Sequence, residues 1–428
     1  MKGERIEIAR HLLSFLASLA AISLWAQRPS PSPVVHADRT VTFVTHCVSA
    51  GEVMLEASFG EIEMRREGGR LTCTTSASLP SDMYTYRFRT DDDSIFLDPD
   101  NPNRVRDIDE WYNYFVVGGG DGDLYCDNDV PHGAVEQLWY ASSYDAAMPQ
   151  RRLSVYTPAA YRADSSALFP VLYLLHGTGG DEESWLDMGR LAQIMDNMIA
   201  AGRCRPMIVV MPNGVAGQDA APGRSPYRDN EASRNSVASW LGRTEAALPL
   251  EVIPFVESRL RVVADKRSRA IAGVSMGGMH AMAVAMNNPS LFDYVGLFSP
   301  QTHNVLDDGS IRAVRNVKER IDALLERLPF GGDKLRDTFD KKTQHVDNID
   351  IYEDMDGKLA TQFADAPVLY YIAVGRKDPL YRLVTAFRKR LDAAGYAYVY
   401  NESDGGHDWS CWRRYLVDFL PRLFPADE

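Results

Sequence analysis

The chain has 428 residues, of which 45% are hydrophobic and 25% charged, and its formal net charge is −13. A chain of this length and apolar content can bury a large core and is expected to form two to three domains. The acidic balance and the lack of a basic block argue against a nucleic acid partner, because clustered Lys and Arg side chains are what bind phosphates.

The first residues have the order of a secretory signal. Lys2, Arg5 and Arg10 precede the apolar stretch 11–26, and a polar, Pro-rich segment follows it. This order predicts a cleaved signal peptide over 1–27 and a secreted or periplasmic protein. A membrane anchor is the alternative, but the uncharged run is shorter than the about 18 residues that span a bilayer. We expect no stable membrane insertion after cleavage.

The five cysteines are an odd number for an exported chain, so at most two disulfide bridges can form. Cys47 and Cys73 lie in neighbouring strand-like segments and could pair. The alternative is that all five cysteines are buried as small apolar residues.

Residues 38–118 predict an all-β, immunoglobulin-like sandwich. Their short segments are rich in β-branched and aromatic residues and are separated by Gly, Pro and Asp clusters. The strand-like segments are 40–48, 52–58, 62–66, 70–77, 84–90, 94–98 and 111–118.

The pattern changes after this region. Residues 119–150 are interpreted as a connector and the first strands of a second domain. From about 130 to 428, strands that are apolar on both faces alternate with helical stretches, which predicts a doubly wound α/β domain. The charged segment 307–364 is too long for an ordinary strand connection and is interpreted as an insertion near the site. The predicted buried strands are 169–177, 206–214, 269–275, 294–300 and 368–375.

The segment Gly273-Val-Ser-Met-Gly277 fits the pattern Gly-x-Ser-x-Gly. In a nucleophile elbow of this type, a strand turns sharply into a helix and holds its serine in a strained, exposed position. Here the pattern follows a buried strand and opens an apolar helix, which is the context that the elbow requires. We therefore expect Ser275 to be a nucleophile.

A serine hydroxyl needs a base, and the base needs a group that orients it. In an elbow-type fold the acid and the histidine follow the nucleophile in that order, each after a strand. Asp378 and His407 satisfy this order. Asp404 is the alternative acid, and Asp378 could instead cap a helix.

A tetrahedral oxyanion requires two backbone N–H donors. Met276 supplies the first donor, and the loop 176–180 supplies the second from Gly177 or Thr178. His176 is expected to position this loop, and a phosphate-loop reading is poor because the Gly-Lys-Ser/Thr ending is missing. We expect no catalytic metal and no cofactor, since no metal-binding motif occurs.

Four segments, 169–185, 194–214, 270–282 and 405–416, resemble bacterial feruloyl and acetylxylan esterases, the esterase-D-like branch of the α/β-hydrolases. The resemblance implies an α/β-hydrolase over 130–428, with Ser275 as nucleophile, His407 as base and Asp378 as acid. It also implies that Trp185 and Trp409 lie close to the acyl pocket. His303 is expected to border the substrate cleft.

The N-terminal region, most clearly 84–102, resembles the early-set sandwich that accompanies glycan-active enzymes. Such sandwiches bind glycans through exposed tryptophans, but this chain has Phe59 and Leu71 where the family pattern tends to have Trp. A structural role, shaping the cleft of the esterase, is at least as well supported as glycan binding.

These observations predict a secreted serine esterase that releases ferulic or a related hydroxycinnamic acid from plant cell-wall polysaccharide such as arabinoxylan. The expected partner is a feruloylated polysaccharide or oligosaccharide. Acetylxylan esterase and siderophore or thioester hydrolase activities are alternatives within the same chemistry. A non-catalytic glycan-binding protein is the alternative from another class.

Overall fold

A computed structural model of the protein describes residues 32–46, 51–143, 149–215, 220–221, 242–302 and 349–425. The described chain forms two compact units. The first comprises the chain up to Val105 together with Trp111–Gly119, and the second comprises Arg106–Glu110 and the chain from Gly120 onward. The predicted signal peptide, Cys47, His303 and most of the 307–364 segment lie outside the described residues. No helix within the described ranges is long and apolar enough to cross a membrane.

The first unit is built from two antiparallel sheets. One has the strand order β1-β2-β6-β5, and the other has the order β4-β3-β7-β10-β9, with β8 paired to β7. The strands are β1 (Val34–Val35), β2 (Val41–Thr45), β3 (Val53–Ala57), β4 (Gly60–Glu63), β5 (Arg65–Glu67), β6 (Arg70–Thr74), β7 (Asp82–Thr90), β8 (Ile95–Phe96), β9 (Arg104–Asp107) and β10 (Glu110–Val117).

Alternating side chains of both sheets meet in one apolar core, as the pleat of a β-strand requires. Leu71 is buried in this core, and Phe59 packs against it beside Tyr84. The two positions that would carry exposed tryptophans in a glycan-binding sandwich therefore face inward. Cys73 is buried in the same core, and burial raises the pKa of its thiol to about 12. Its possible partner Cys47 lies outside the described residues, so their pairing stays a prediction.

The second unit contains an eight-stranded sheet with the order β11-β12-β14-β13-β15-β16-β17-β18. The first three pair antiparallel and the remainder pair parallel. Strands β13 to β17 are buried along their whole length, which explains their continuous apolar sequences. The strands are β11 (Ala134–Ala141), β12 (Gln150–Thr157), β13 (Val171–Leu175), β14 (Ile208–Pro212), β15 (Arg269–Val274), β16 (Tyr294–Phe298), β17 (Leu369–Gly375) and β18 (Val399–Ser403).

Helices connect and cover these strands, so the predicted fold class, an antiparallel β unit followed by a doubly wound α/β unit, is confirmed. In the described residues, the α-helices are α1 (Ala159–Ala163), α2 (Ser184–Asp187), α3 (Leu191–Ala200), α4 (Arg243–Ala247), α5 (Ile253–Arg259), α6 (Met276–Asn287), α7 (Met355–Ala364), α8 (Tyr381–Ala394) and α9 (Trp409–Phe419). A π-helical segment covers Leu248–Val252, and 3₁₀ turns cover Asp121–Tyr125, Lys266–Ser268, Ile349–Tyr352 and Leu420–Arg422.

The last part of the predicted insertion belongs to the core of the second unit. Tyr352 and the buried face of α7 join the main apolar cluster. The hydroxyl of Tyr352 donates to Glu245, and the same carboxylate lies against His280 on α6. The segment from Ile349 to Ala364 therefore supports the helix that follows Ser275.

Candidate active site

Ser275 lies at the junction of β15 and α6, at the carboxyl edge of the parallel strands. Its backbone has φ 56° and ψ −115°, a strained conformation for a residue with a side chain. A Cβ on Gly273 would lie 2.3 Å from the Gly277 carbonyl oxygen, and a Cβ on Gly277 would lie 2.4 Å from the His176 carbonyl oxygen. Only glycine permits this close approach, which explains the spacing of the motif.

Two later strands bring the other polar side chains to the same edge. Asp378 follows β17 and His407 follows β18, and these strands pair parallel in the sheet that contains β15. His407 Nε2 lies 3.0 Å from Ser275 Oγ, and His407 Nδ1 lies 2.9 Å from Asp378 Oδ2. The structure therefore brings together three residues that are 103 and 29 positions apart in the chain.

The environment of Asp378 keeps its carboxyl group ionised. Burial raises its pKa, but the hydrogen bonds from His407 and from the Leu380 backbone N–H act against burial, and the pKa is lowered overall. An ionised Asp378 accepts a hydrogen bond from Nδ1–H of His407, which leaves Nε2 as the acceptor that faces the Ser275 hydroxyl. This is the tautomer that a general base requires.

Asp404, the alternative acid, lies elsewhere. Its side chain is exposed and forms an ion pair with Arg376, with Nη1 and Oδ1 2.8 Å apart. The structure thus places Asp378, and not Asp404, beside the imidazole.

The loop 176–180 lies against the elbow, since a Cβ on Gly177 would be 3.5 Å from the Cβ of Ser275. His176 is buried, and burial lowers its pKa to about 4. Its Nε2 accepts a hydrogen bond from Gly214 N–H at 2.7 Å, so its Nδ1 carries the proton and donates to the Gly177 carbonyl at 2.8 Å. Gly180 N–H donates to the same carbonyl. A neutral histidine therefore fixes the direction of the Gly177–Thr178 peptide.

Two buried ion pairs hold the residues that follow this loop. Arg106 binds Asp181 through two hydrogen bonds of 2.8 and 3.0 Å. Arg152 Nε donates to Glu182 at 2.6 Å. Burial raises the pKa of Glu182, and Arg152 opposes that effect. Pairs of this kind fix geometry well, because breaking one leaves an uncompensated charge away from water.

A cluster of three tryptophan rings packs against one side of the histidine, through Trp412. Trp409 is half-buried and packs edge-to-face on Trp185 and on Trp412, with ring centroids 5.3 and 5.0 Å apart. Trp412 in turn packs on the imidazole of His407 at 5.0 Å. Trp185 is only 1% exposed and its Nε1 donates to the Leu175 carbonyl. The ring of Trp185 therefore lies in the core behind Trp409, and the expected contact of Trp185 with substrate stays a prediction.

Sequence reasoning missed Trp412 and the segment 106–110. Trp409 and Trp412 are three residues apart at the start of α9, so helical periodicity directly after His407 could have indicated a shared aromatic face. Asp107, whose carboxylate accepts a hydrogen bond from Trp409, is 302 positions away in the chain. No local pattern carries a signal for such a contact. His303, expected at the cleft, lies outside the described residues.

The sheet order, the elbow and the carboxyl-edge cluster define an α/β-hydrolase. The Esterase family model, described as "Putative esterase", matches residues 146–423, which is well over half of the chain. The chain belongs to this family of ester hydrolases.

Two curated relatives are similar to the chain at low identity. An endo-1,4-β-xylanase/feruloyl esterase of Xylanibacter ruminicola is 28% identical over 331 residues, covering 73% of this chain and 43% of that protein. An esterase of Mycobacterium tuberculosis is 27% identical over 298 residues, covering 68% of this chain and 60% of that protein. The chain therefore spans less than two thirds of the length of these relatives.

A solved structure extends the likeness across both units. The enterobactin esterase of Shigella flexneri is 16% identical, with a TM-score of 0.58, and the match covers 93% of this chain and 97% of that chain. This likeness shows the fold.

Proposed function

We propose that the protein is a serine carboxylesterase that releases hydroxycinnamic acids, ferulic acid in particular, from esters on plant cell-wall polysaccharide. The proposal rests on two consecutive hydrogen bonds, from Ser275 to His407 and from His407 to the buried Asp378. This arrangement suits acyl transfer, because each proton movement of the reaction has a partner already in place.

In the proposed reaction, Ser275 Oγ attacks the ester carbonyl while His407 Nε2 takes the hydroxyl proton. The imidazolium then gives this proton to the departing sugar alkoxide, and an acyl-enzyme remains on Ser275. Water, deprotonated by His407, attacks the acyl group and releases the free acid. Asp378 stabilises the imidazolium in both halves of the reaction and itself stays ionised.

The oxyanion of each tetrahedral intermediate is assigned to two backbone donors. Met276 N–H is the first, at the N-terminus of α6, where the helix dipole favours negative charge. Thr178 N–H is the second. The Gly177 carbonyl is held by His176 and Gly180, and in a trans peptide the following N–H points to the opposite side. This makes Thr178, rather than Gly177, the better candidate of the two predicted donors.

Two observations support the assignment of an aromatic acyl group to the substrate. Trp409 is partly exposed beside the histidine and is backed by two further tryptophan rings, which suits a flat aromatic ring. The relative from Xylanibacter ruminicola carries feruloyl esterase in its name. We assign Trp409 to the pocket and Trp185 to the support beneath it.

The test compares esters that differ in the acyl group. The wild-type protein should hydrolyse methyl ferulate with a higher kcat/KM than p-nitrophenyl acetate, and chromatography should detect ferulic acid released from feruloylated arabinoxylan. Ser275→Ala should keep the wild-type melting temperature and lose at least about 10³-fold in kcat. A preference for the acetyl ester by orders of magnitude would overturn the feruloyl assignment, and turnover retained by Ser275→Ala would overturn the mechanism.

A further inference from the structure

Residues 106–110, which comprise the end of β9, the turn after it and the first residue of β10, belong to the second unit, although the chain on either side of them belongs to the first. We name this segment the 106–110 turn. Its side chains contact residues next to the loop 176–180 and residues next to His407, which lie on the two sides of Ser275. Arg106 binds Asp181 directly after the loop 176–180, and Asp107 accepts a hydrogen bond from Trp409, two residues after His407.

Arg106 ties the turn to the oxyanion side of the site. The guanidinium is 5% exposed and Asp181 is 2% exposed, and two parallel N–H···O bonds join them. The same guanidinium donates to the Ile108 carbonyl and so holds the turn's own backbone. Bidentate pairing fixes orientation as well as distance, so the turn and the loop are held in one geometry.

Ile108 has a backbone conformation that is unfavourable for its branched side chain. Its φ is 57°, in the left-handed region that a β-branched side chain disfavours. Its side chain is nevertheless 41% exposed and contributes little to a core. It lies against the loop 176–180, since a Cβ on Gly179 would be 2.9 Å from Ile108 Cδ1. Strain retained at an exposed apolar residue beside a catalytic loop points to contact with a ligand.

Asp107 acts on the histidine side. Its Oδ1 accepts a hydrogen bond from Trp409 Nε1 at 3.3 Å, the polar contact that the structure gives this indole. Burial raises the pKa of Asp107, and the hydrogen bond from Trp409 opposes this effect. With Trp185 and Trp412 packed edge-to-face on its ring, Trp409 is held in one orientation from three directions.

We propose that the 106–110 turn forms a wall of the acyl pocket, with Ile108 as a specificity-determining residue for aromatic acyl groups and Asp107 as a positioning residue that acts through Trp409. The inference rests on the proposed function, because it concerns the acyl side of the ester that Ser275 attacks. A short acyl group such as acetyl carries no ring for this wall to contact, so the wall should have little effect on its turnover.

Ile108→Gly is the most informative variant, because glycine favours a positive φ and the backbone strain disappears. We expect its melting temperature to equal or exceed that of the wild type. Its kcat/KM on methyl ferulate should fall about tenfold, mainly through KM, which is the usual effect of lost apolar contact in a pocket. Its kcat/KM on p-nitrophenyl acetate should stay close to that of the wild type.

Leu168→Ala is the matched control. Leu168 is 59% exposed and precedes β13 at the amino edge of the parallel strands, away from Ser275. It should change neither ester's kcat/KM. An Ile108→Gly variant with the wild-type ratio of the two kcat/KM values, or with equal losses on both esters, would overturn the role of Ile108.

Asp107 is tested by a pair of variants. Asp107→Ala removes the acceptor and should lower kcat/KM for methyl ferulate several-fold, whereas Asp107→Asn keeps an oxygen acceptor for Trp409 and should restore most of it. If the two variants lose the same activity, Asp107 does not act through Trp409. Each variant's kcat/KM is compared with that of the wild type. Failure of the proposed function would appear differently, as poor turnover of methyl ferulate by the wild type itself.

Discussion

The two sides of Ser275 are held in different ways. On the proton-transfer side, a short line of two hydrogen bonds runs through His407 to Asp378. On the oxyanion side, the loop 176–180 is held by the buried, neutral His176. The residues that follow the loop are held by ion pairs with Arg106 and Arg152, which are distant in the chain. Proton transfer needs a few titratable groups in order, whereas oxyanion binding needs a rigid backbone, which many residues must hold.

The largest expected effect concerns the proton-transfer side. Asp378→Asn should lower kcat by about 10³ to 10⁴-fold, because an amide can hold the imidazole in the wrong tautomer and cannot stabilise the imidazolium. Steady-state kinetics on methyl ferulate measures the loss. Asp404→Asn is the matched control and should leave kcat unchanged. A similar loss in both variants would mean that the acid is not correctly assigned.

An intermediate effect is expected on the oxyanion side. Arg152→Met leaves Glu182 buried without its cation and should destabilise the protein by about 3 to 5 kcal/mol. Since the loop then loosens, kcat should fall as well. Urea unfolding measures the stability, and Arg152→Met combined with Glu182→Gln should recover much of it because no unpaired charge remains. Strictly additive losses in the double variant would show that the two residues are not coupled.

The smallest effect is a pH dependence caused by His176. Its pKa falls from 6.5 to about 4 on folding, so between these values the unfolded state binds a proton that the folded state does not. The neutral ring contributes up to about 3 kcal/mol to the free energy of unfolding. This contribution is fully present above about pH 6.5 and is lost as pH falls towards 4.

His176→Gln removes this proton linkage. The variant should melt well below the wild type at pH 7.5, and the difference in melting temperature should narrow as the pH is lowered to 4.5. Comparison with the wild type at each pH cancels the opposite contribution of Asp187, whose pKa burial raises to about 6. A melting-temperature difference that stays constant with pH would contradict a neutral, buried His176.

The parts of the fold that follow local rules could be predicted from the sequence. The buried strands before Ser275, Asp378 and His407 are visible as apolar runs, and parallel pairing necessarily brings their carboxyl ends to one edge. The two glycines of the elbow motif could also be predicted from the sequence, because the tight turn brings backbone atoms so close that it excludes a side chain at each of these positions.

What could not be predicted depends on contacts between distant segments. The pairing of Arg106 with Asp181 spans 75 positions, and neither residue lies in a recognisable motif. Trp185 resembles a pocket residue in its sequence context, but only the packing of Phe298 and Trp409 around it shows that it is buried. The core position of Tyr352 was likewise hidden, because a charged stretch precedes it in the chain.

In the proposed reaction, Ser275 carries the acyl group between the two half-reactions. Mixing the wild-type protein with excess p-nitrophenyl ferulate, quenching in acid and mapping peptides by mass spectrometry tests it directly. We expect a feruloyl adduct on the peptide that contains Ser275, absent from Ser275→Ala and longer-lived in Asp378→Asn. An adduct on another residue, or turnover of the ester by Ser275→Ala at the wild-type rate, would contradict it.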